Sequence, residues 1–193
     1  MKTFKFAFIL TLFASVLLSS CSYNTMVEKE ENVSSHWGQV QNAYQRRADL
    51  VPNLVATVKG YADHEQGTFT AVTEARSKVS QINLSVDELT DENLQKFQQA
   101  QGELSSALNR LLMVREAYPE LKANTNFLSL QDELAGTENR ISVERNKFNE
   151  AVKDYNQYIR KFPRNIYAGW FGFKKKAYFQ ADAASQSAPK VEF

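Results

Sequence analysis

One cysteine, two histidines, four prolines and seven glycines among 193 residues leave several constructions without material. Cys21 has no second cysteine to pair with, so no intrachain disulfide is possible and any core must hold by packing. With only His36 and His64 as imidazoles, a zinc site would need mostly carboxylates. His64-Glu65 opens like the zinc-protease helix motif, but the residue four positions after His64 is Thr68, so the second histidine ligand is missing. No metal and no cofactor is expected. So little glycine and proline also leaves few turns for a many-stranded sheet.

Charge of one sign is lacking too. Lys and Arg number 23 against 22 Asp and Glu, a formal net charge of +1, and loss of the first 20 residues would remove Lys2 and Lys5. That balance excludes nucleic acid as the main partner, because polyanion binding requires a basic excess on one face. Nor does any apolar run reach the roughly 20 residues needed to cross a hydrocarbon core. The longest, Phe6 to Leu18, is interrupted only by Thr11 and Ser15 and follows the charged start at Lys2 and Lys5. This is the n-region and h-region of a secretory signal. It ends in Leu18-Ser19-Ser20-Cys21, which resembles the lipobox of bacterial lipoproteins. The resemblance implies cleavage before Cys21 and diacylglycerol on its sulfur, with each buried methylene adding about 0.8 kcal/mol of membrane hold. Ser22 follows, and under the enteric sorting rule a residue other than Asp there favours the outer membrane, facing the periplasm, in a cell with two membranes. A cell-envelope location by lipid anchor is the expectation.

What is plentiful is helical periodicity. Alternate steps of four and three from Met26 reach Val33, Trp37, Val40, Tyr44, Val51, Leu54 and Val58, an amphipathic seam. Pro52 lies inside it, where it removes one backbone hydrogen bond and crowds the Ala48 carbonyl, so a kink is expected there. The rhythm weakens from Asp63 to Thr68, where a bend or turn is placed, and resumes at Val72, Ala75, Val79 and Ile82. Ser85 with Glu88 forms a candidate capping box and Thr90 a second candidate cap. Behind them Leu94, Phe97, Gln101, Leu104, Leu108, Leu111 and Arg115 keep the spacing until Pro119. After a polar link through Asn124, every seventh residue from Phe127 through Leu134, Ile141 and Phe148 to Tyr155 is large and apolar, and Pro163 closes the pattern. Helices of this length joined by short links pack as antiparallel neighbours. The expected fold is all-α: an elongated antiparallel up-and-down bundle of three to four long helices. By region, 1–20 reads as signal peptide, 21–24 as anchor junction, 25–163 as the bundle, 164–179 as an aromatic and basic segment packing on its end, and 180–193 as a flexible tail.

Two stretches carry a family resemblance. The first holds Arg46-Arg47, Asp49-Leu50-Val51-Pro52-Asn53-Leu54, Val58-Lys59, Tyr61 and His64-Glu65; the second runs from Tyr118-Pro119-Glu120-Leu121-Lys122 through Asn126-Phe127 and Gln131 to Gly136-Thr137-Glu138-Asn139-Arg140-Ile141. With Tyr23-Asn24, Asn149, Tyr155-Asn156 and Phe162-Pro163, they resemble the LemA family of bacterial envelope proteins over nearly all of 23–179. The resemblance implies a helical bundle with an N-terminal membrane attachment; it supplies no reaction and no catalytic residues. Many members keep an N-terminal transmembrane helix, where this chain presents a lipobox.

Polar residues interrupt the seams: Arg46, Arg47 and Asp49 near Pro52, Gln101 and Arg115 in the next long helix, and Thr137, Glu138, Glu144 and Arg145 in the last. A register-fixing ion-pair and hydrogen-bond layer is the favoured reading, and a ligand or partner site the alternative. If the layer is structural, charge reversal of Glu138 together with a matched arginine is expected to recover stability. The segment from Tyr167 through Trp170, Phe171, Phe173, Lys174, Lys175 and Lys176 to Tyr178 and Phe179 also has two readings. Its aromatics fold back over the bundle end with the lysines in water, or they meet a membrane interface. No nucleophile with a paired base is present, so no enzymatic activity is expected. A membrane-tethered scaffold or protein-interaction module with a partner in the envelope is favoured, with an accessory subunit or adaptor of an envelope enzyme such as a membrane protease as the alternative. The sequence leaves the oligomeric state open.

Overall fold

A computed structural model describes the backbone of residues 2–180 and the side chains of residues 22–180. The Cys21 thiol, the side chains before it and the tail beyond residue 180 lie outside the described residues. Among these residues there are six helices and no strand: α1 (Lys2–Lys59), α2 (Gln66–Gln81), α3 (Asp91–Met113), α4 (Pro119–Lys122), α5 (Thr125–Arg160) and α6 (Arg164–Trp170). The all-α bundle expected from the seams is the observed architecture.

Antiparallel pairing follows from the ties between helices. Arg46 reaches Glu133, Arg47 reaches Glu138 and Tyr61 meets Asn124, so α1 and α5 run opposite ways along each other. At 36 residues, α5 extends about 54 Å. Helix α2 turns back along the far half of α1, and α3 lies against α2, tied by Lys78 to Glu103.

The turn expected over 63–68 lies slightly earlier: residues 60–65 separate α1 from α2, and Gln66 to Thr68 already belong to α2. Asn124 caps α5, its side chain accepting from the Phe127 amide at 2.8 Å while its amide group donates to the Tyr61 hydroxyl at 2.8 Å. Thr90 caps α3, accepting from the Asn93 amide. The Ser85 and Glu88 box closes a single 3-10 turn, Val86–Glu88, ahead of that helix. Between α3 and α5 the link is more ordered than a polar loop. The chain tightens into a 3-10 turn, Val114–Ala117, Tyr118 is extended because a proline follows it, and Pro119 starts α4 at a position where its missing N–H costs nothing.

Helix α1 runs through Pro52 to Lys59. The proline leaves the Ala48 carbonyl without its usual helical donor, and the structure supplies another: Arg76 Nε of α2 donates to that oxygen at 3.0 Å.

The core has two parts. The far one gathers Leu50, Val51, Leu54 and Val58 of α1, Phe69, Val72 and Val79 of α2, Leu104, Leu108 and Leu111 of α3, and Phe127 and Leu134 of α5. The near one gathers Met26, Val33, Trp37, Val40 and Tyr44 of α1, Phe97 of α3, and Ile141, Phe148, Val152 and Tyr155 of α5. Helix α2 is too short to reach it. Its place is taken by residues 82–89 and by the C-terminal segment 173–180, which arrives after Gly172 turns the chain with a φ of 84°.

Candidate functional site

Arg47, Gln101 and Glu138 lie at the waist between the two core parts, one residue from each of α1, α3 and α5. Arg47 is 2% exposed. Its Nη1 donates to Ser105 Oγ at 2.7 Å and to Glu138 Oε1 at 2.6 Å, while Nη2 donates to the Gln101 backbone oxygen at 3.2 Å and to the Gln101 side chain. The guanidinium carbon sits 5.2 Å from the centre of the Tyr44 ring, and Nε has no acceptor among the described residues. Removing a guanidinium from water is costly unless nearly every donor is matched, and here two other helices match it.

The remaining polar candidates are dispersed. Arg46 pairs with Glu133 at 3.3 Å on the surface, and Asp49 accepts from Gln45 at 2.8 Å on the exposed side of α1. Arg115 stands at the far end, bonded to Gln131 and Glu116. Thr137 donates to the Glu133 carbonyl of its own helix. Glu144, though buried, pairs with Lys147 at 3.1 Å, and Arg145 lies over the Phe179 ring with its centroid 4.7 Å away. Of nine residues in the expected layer, three meet in one hydrogen-bonded cluster, and Arg145 lines the same small groove with them. A groove of about 420 Å³ beside them is lined by Gln41, Tyr44, Gln45, Asn83, Phe97 and Gln101, among others. Amides and aromatic rings can bind there, but no acid–base pair faces the space. Among the described residues no three His, Cys, Asp or Glu side chains converge as metal ligands would.

A second constellation was missed by reading positions one at a time. Asn149 and Asn156 of α5 each grip the backbone amide and carbonyl of one residue of the C-terminal segment. Asn156 Nδ2 donates to the Lys176 carbonyl at 2.8 Å and Oδ1 accepts from the Lys176 amide at 3.0 Å; Asn149 does the same for Phe179 at 3.0 and 2.9 Å. Seven helical residues advance about 10.5 Å, and three extended residues about 10 Å. The two grips therefore match only if 176–179 runs nearly fully extended and antiparallel to α5. Phe179 then enters the near core, 6.0 Å from the Trp37 ring, 5.4 Å from Phe148 and 6.4 Å from Phe97.

One expectation for this segment is corrected. Lys176 is not left in water: it is 4% exposed, with its ammonium 2.9 Å from Glu30 and 3.2 Å from Asp87. Burial of an ammonium needs partners, and both come from parts of the chain remote in sequence. Beneath it the Tyr155 hydroxyl is shared between the Lys174 carbonyl at 3.0 Å and Glu30 at 3.3 Å. Burial, reinforced by the negative Glu30, holds that phenol well above its usual range.

The model of the LemA family matches residues 36–193, from His36 on α1 through the whole clamped segment. The chain belongs to the LemA family. Among relatives of this LemA-family chain are Magnetosome protein MamQ 2 of Paramagnetospirillum magneticum, 26% identical over 93% of this chain and 72% of its own length, and Magnetosome protein MamQ of Magnetospirillum gryphiswaldense, 25% identical over the same shares. Protein LemA of Metamycoplasma hominis is 25% identical over 86% of this chain and 71% of its own. The family match takes in Arg47, Gln101, Glu138, Asn149 and Asn156 alike. Within the described residues of this LemA-family chain, no helix is long and apolar enough to cross a membrane.

Proposed function

We propose that this LemA-family chain is a non-catalytic scaffold or protein-interaction module of the cell envelope, tethered by acyl chains on Cys21 and facing the periplasm from the outer membrane in cells that have one. The observation that carries the non-catalytic part is the state of Arg47. Its two Nη groups donate four hydrogen bonds to Ser105, Gln101 and Glu138, so the most deeply buried charge among the described residues is committed to tying three helices together. The tether rests on Leu18-Ser19-Ser20-Cys21 following a short apolar run. A rod of about 54 Å standing on such a tether offers long helical faces to a partner.

Two measurements test this. Intact-mass analysis of membrane-extracted protein should find a chain beginning at Cys21 and carrying acyl groups, and a Cys21→Ser form should lose them and leave the membrane fraction. A Cys21→Ser form that matures and fractionates like wild type, with no acyl adduct in either, refutes the tether. Crosslinking mass spectrometry in native membranes should map partner contacts onto the helical faces; a single stoichiometric enzyme would instead make the chain its accessory subunit.

A further inference from the structure

The segment after α5 divides by exposure. Its second half is gripped against the bundle, but its first half turns apolar side chains outward: Phe162 is 81% exposed, Ile166 50%, Trp170 81% and Phe171 56%. Ile166 and Trp170 are four apart on one face of α6, while Ala168 on the opposite side is buried. A monomer that buries Phe179 and Lys176 within ten residues leaves these rings in water, an arrangement that marks an interaction surface.

Two observations say what covers it. The first is position. The Tyr23 ring lies edge-on to Phe171 at 5.1 Å and to Phe173 at 5.7 Å. Tyr23 is two residues beyond Cys21 and five beyond Leu18, about 7.5 Å along the helix from the end of the apolar run. Whether residues 2–20 stay or are cut away with acyl chains left on Cys21, the patch sits at the level where the polypeptide meets hydrocarbon. The second is charge. From Tyr155 to Gln180 there is no acidic residue, Arg160, Lys161, Lys174 and Lys175 are exposed on the same stretch as the rings, and the two carboxylates that reach it, Glu30 and Asp87, are paired with Lys176. The nearest acidic residues of α1, Glu28, Glu30 and Glu31, begin five positions farther from the boundary than Tyr23.

We propose that Phe162, Ile166, Trp170 and Phe171 dock on the headgroup region of an anionic lipid bilayer, with Arg160, Lys161, Lys174 and Lys175 meeting the phosphates. Aromatic rings and basic side chains are the groups that lodge at that depth. The docking rests on the membrane attachment proposed above. It gives the bundle a second point of hold, so the near end lies against the surface instead of swivelling on its anchor.

The chain has two tryptophans, Trp37 in the core and Trp170 in the patch, and this makes the test direct. Full-length protein is reconstituted into phosphatidylcholine–phosphatidylglycerol vesicles with or without bromine on the acyl carbons nearest the headgroup. Subtracting the Trp170→Phe spectrum from wild type isolates Trp170. Its emission should be blue-shifted relative to detergent and quenched about twofold or more by the brominated lipid, as for an interfacial indole, while Trp37 is unchanged. Replacing Lys174 and Lys175 by Glu should reduce the quenching. Protein that floats with the vesicles while Trp170 stays unquenched overturns the docking and leaves the attachment standing; protein that does not float overturns both. A blue shift without quenching that grows with protein density would assign the patch to a second copy and refute the lipid surface.

Discussion

Asn156→Ala is the sharpest perturbation of the clamped segment. Asn156 is 3% exposed and pairs both backbone polar groups of Lys176. Truncation leaves a buried N–H and a buried C=O without partners, at about 1–2 kcal/mol each, or roughly 2–4 kcal/mol in all. Asn149 grips Phe179 in the same way but is half-buried, so water replaces part of what Asn149→Ala removes, and its cost is about 1–2 kcal/mol. The segment has an alternative to bearing these penalties, which is to leave. Once 173–180 detaches, the second clamp has nothing to hold, so the double variant should cost less than the sum of the singles. Hydrogen exchange of the Lys176 and Phe179 amides reports the opening directly. A tenfold acceleration corresponds to about 1.4 kcal/mol, so Asn156→Ala should speed both amides by roughly 30- to 700-fold while the amides of α3 and mid-α5 change less. Trp37 should move to longer emission wavelength as Phe179 withdraws from its ring. Unchanged exchange at Phe179 in Asn156→Ala, or strictly additive losses in the double variant, would refute the idea that two amide grips hold one extended segment.

The waist should respond asymmetrically. Arg47→Ala orphans buried Gln101 and should cost about 3–5 kcal/mol in urea unfolding, whereas Glu138→Gln, with its side chain 44% exposed, should cost under about 1 kcal/mol. The recovery expected from the sequence for an exchange of the two charges is therefore corrected: stability should not return even though the layer is structural, because a carboxylate at position 47 would face the Gln101 carbonyl oxygens, which are acceptors. For Pro52, Arg76→Met should cost about 1–2 kcal/mol in wild type and less in Pro52→Ala, where a restored amide serves the Ala48 carbonyl; equal costs in thermal unfolding of the two backgrounds would contradict that compensation. Hydrogen bonds from the Ser85 amide and hydroxyl lower the Glu88 carboxyl below its ordinary value. A lowered folded value means that this contribution is present above the unfolded carboxyl's range and lost as pH falls through the folded one. Carbon-detected titration of Glu88 should therefore show a midpoint below that of a free glutamate, returning towards it in Ser85→Ala.

Much of the bundle was legible because helices announce themselves locally. The seven-residue row from Phe127 to Tyr155, the Thr90 cap and the Ser85 and Glu88 box each depend on residues within two turns of one another. Arg47 stood out for the same reason, as a charge on an apolar seam. Its partners did not: Ser105 is 58 residues away and reads as an ordinary surface serine. Lys176 was misjudged because Glu30 and Asp87 come together only in the fold, and three lysines in a row look alike in sequence. Asn149 and Asn156 are seven apart, a spacing that signals a shared face but not that a backbone lies along it. Arg76 was invisible until the bare carbonyl created by Pro52 had a place in three dimensions.

Phe179 sits among Trp37, Phe97 and Phe148, yet it is made long after all three. A ribosome makes the other three rings first, so a growing molecule carries an open aromatic slot until Phe179 has emerged. A chain cut anywhere between Phe148 and Phe179 exposes that slot permanently, and any chaperone or protease that samples bare rings can tell it from one that carries the plug.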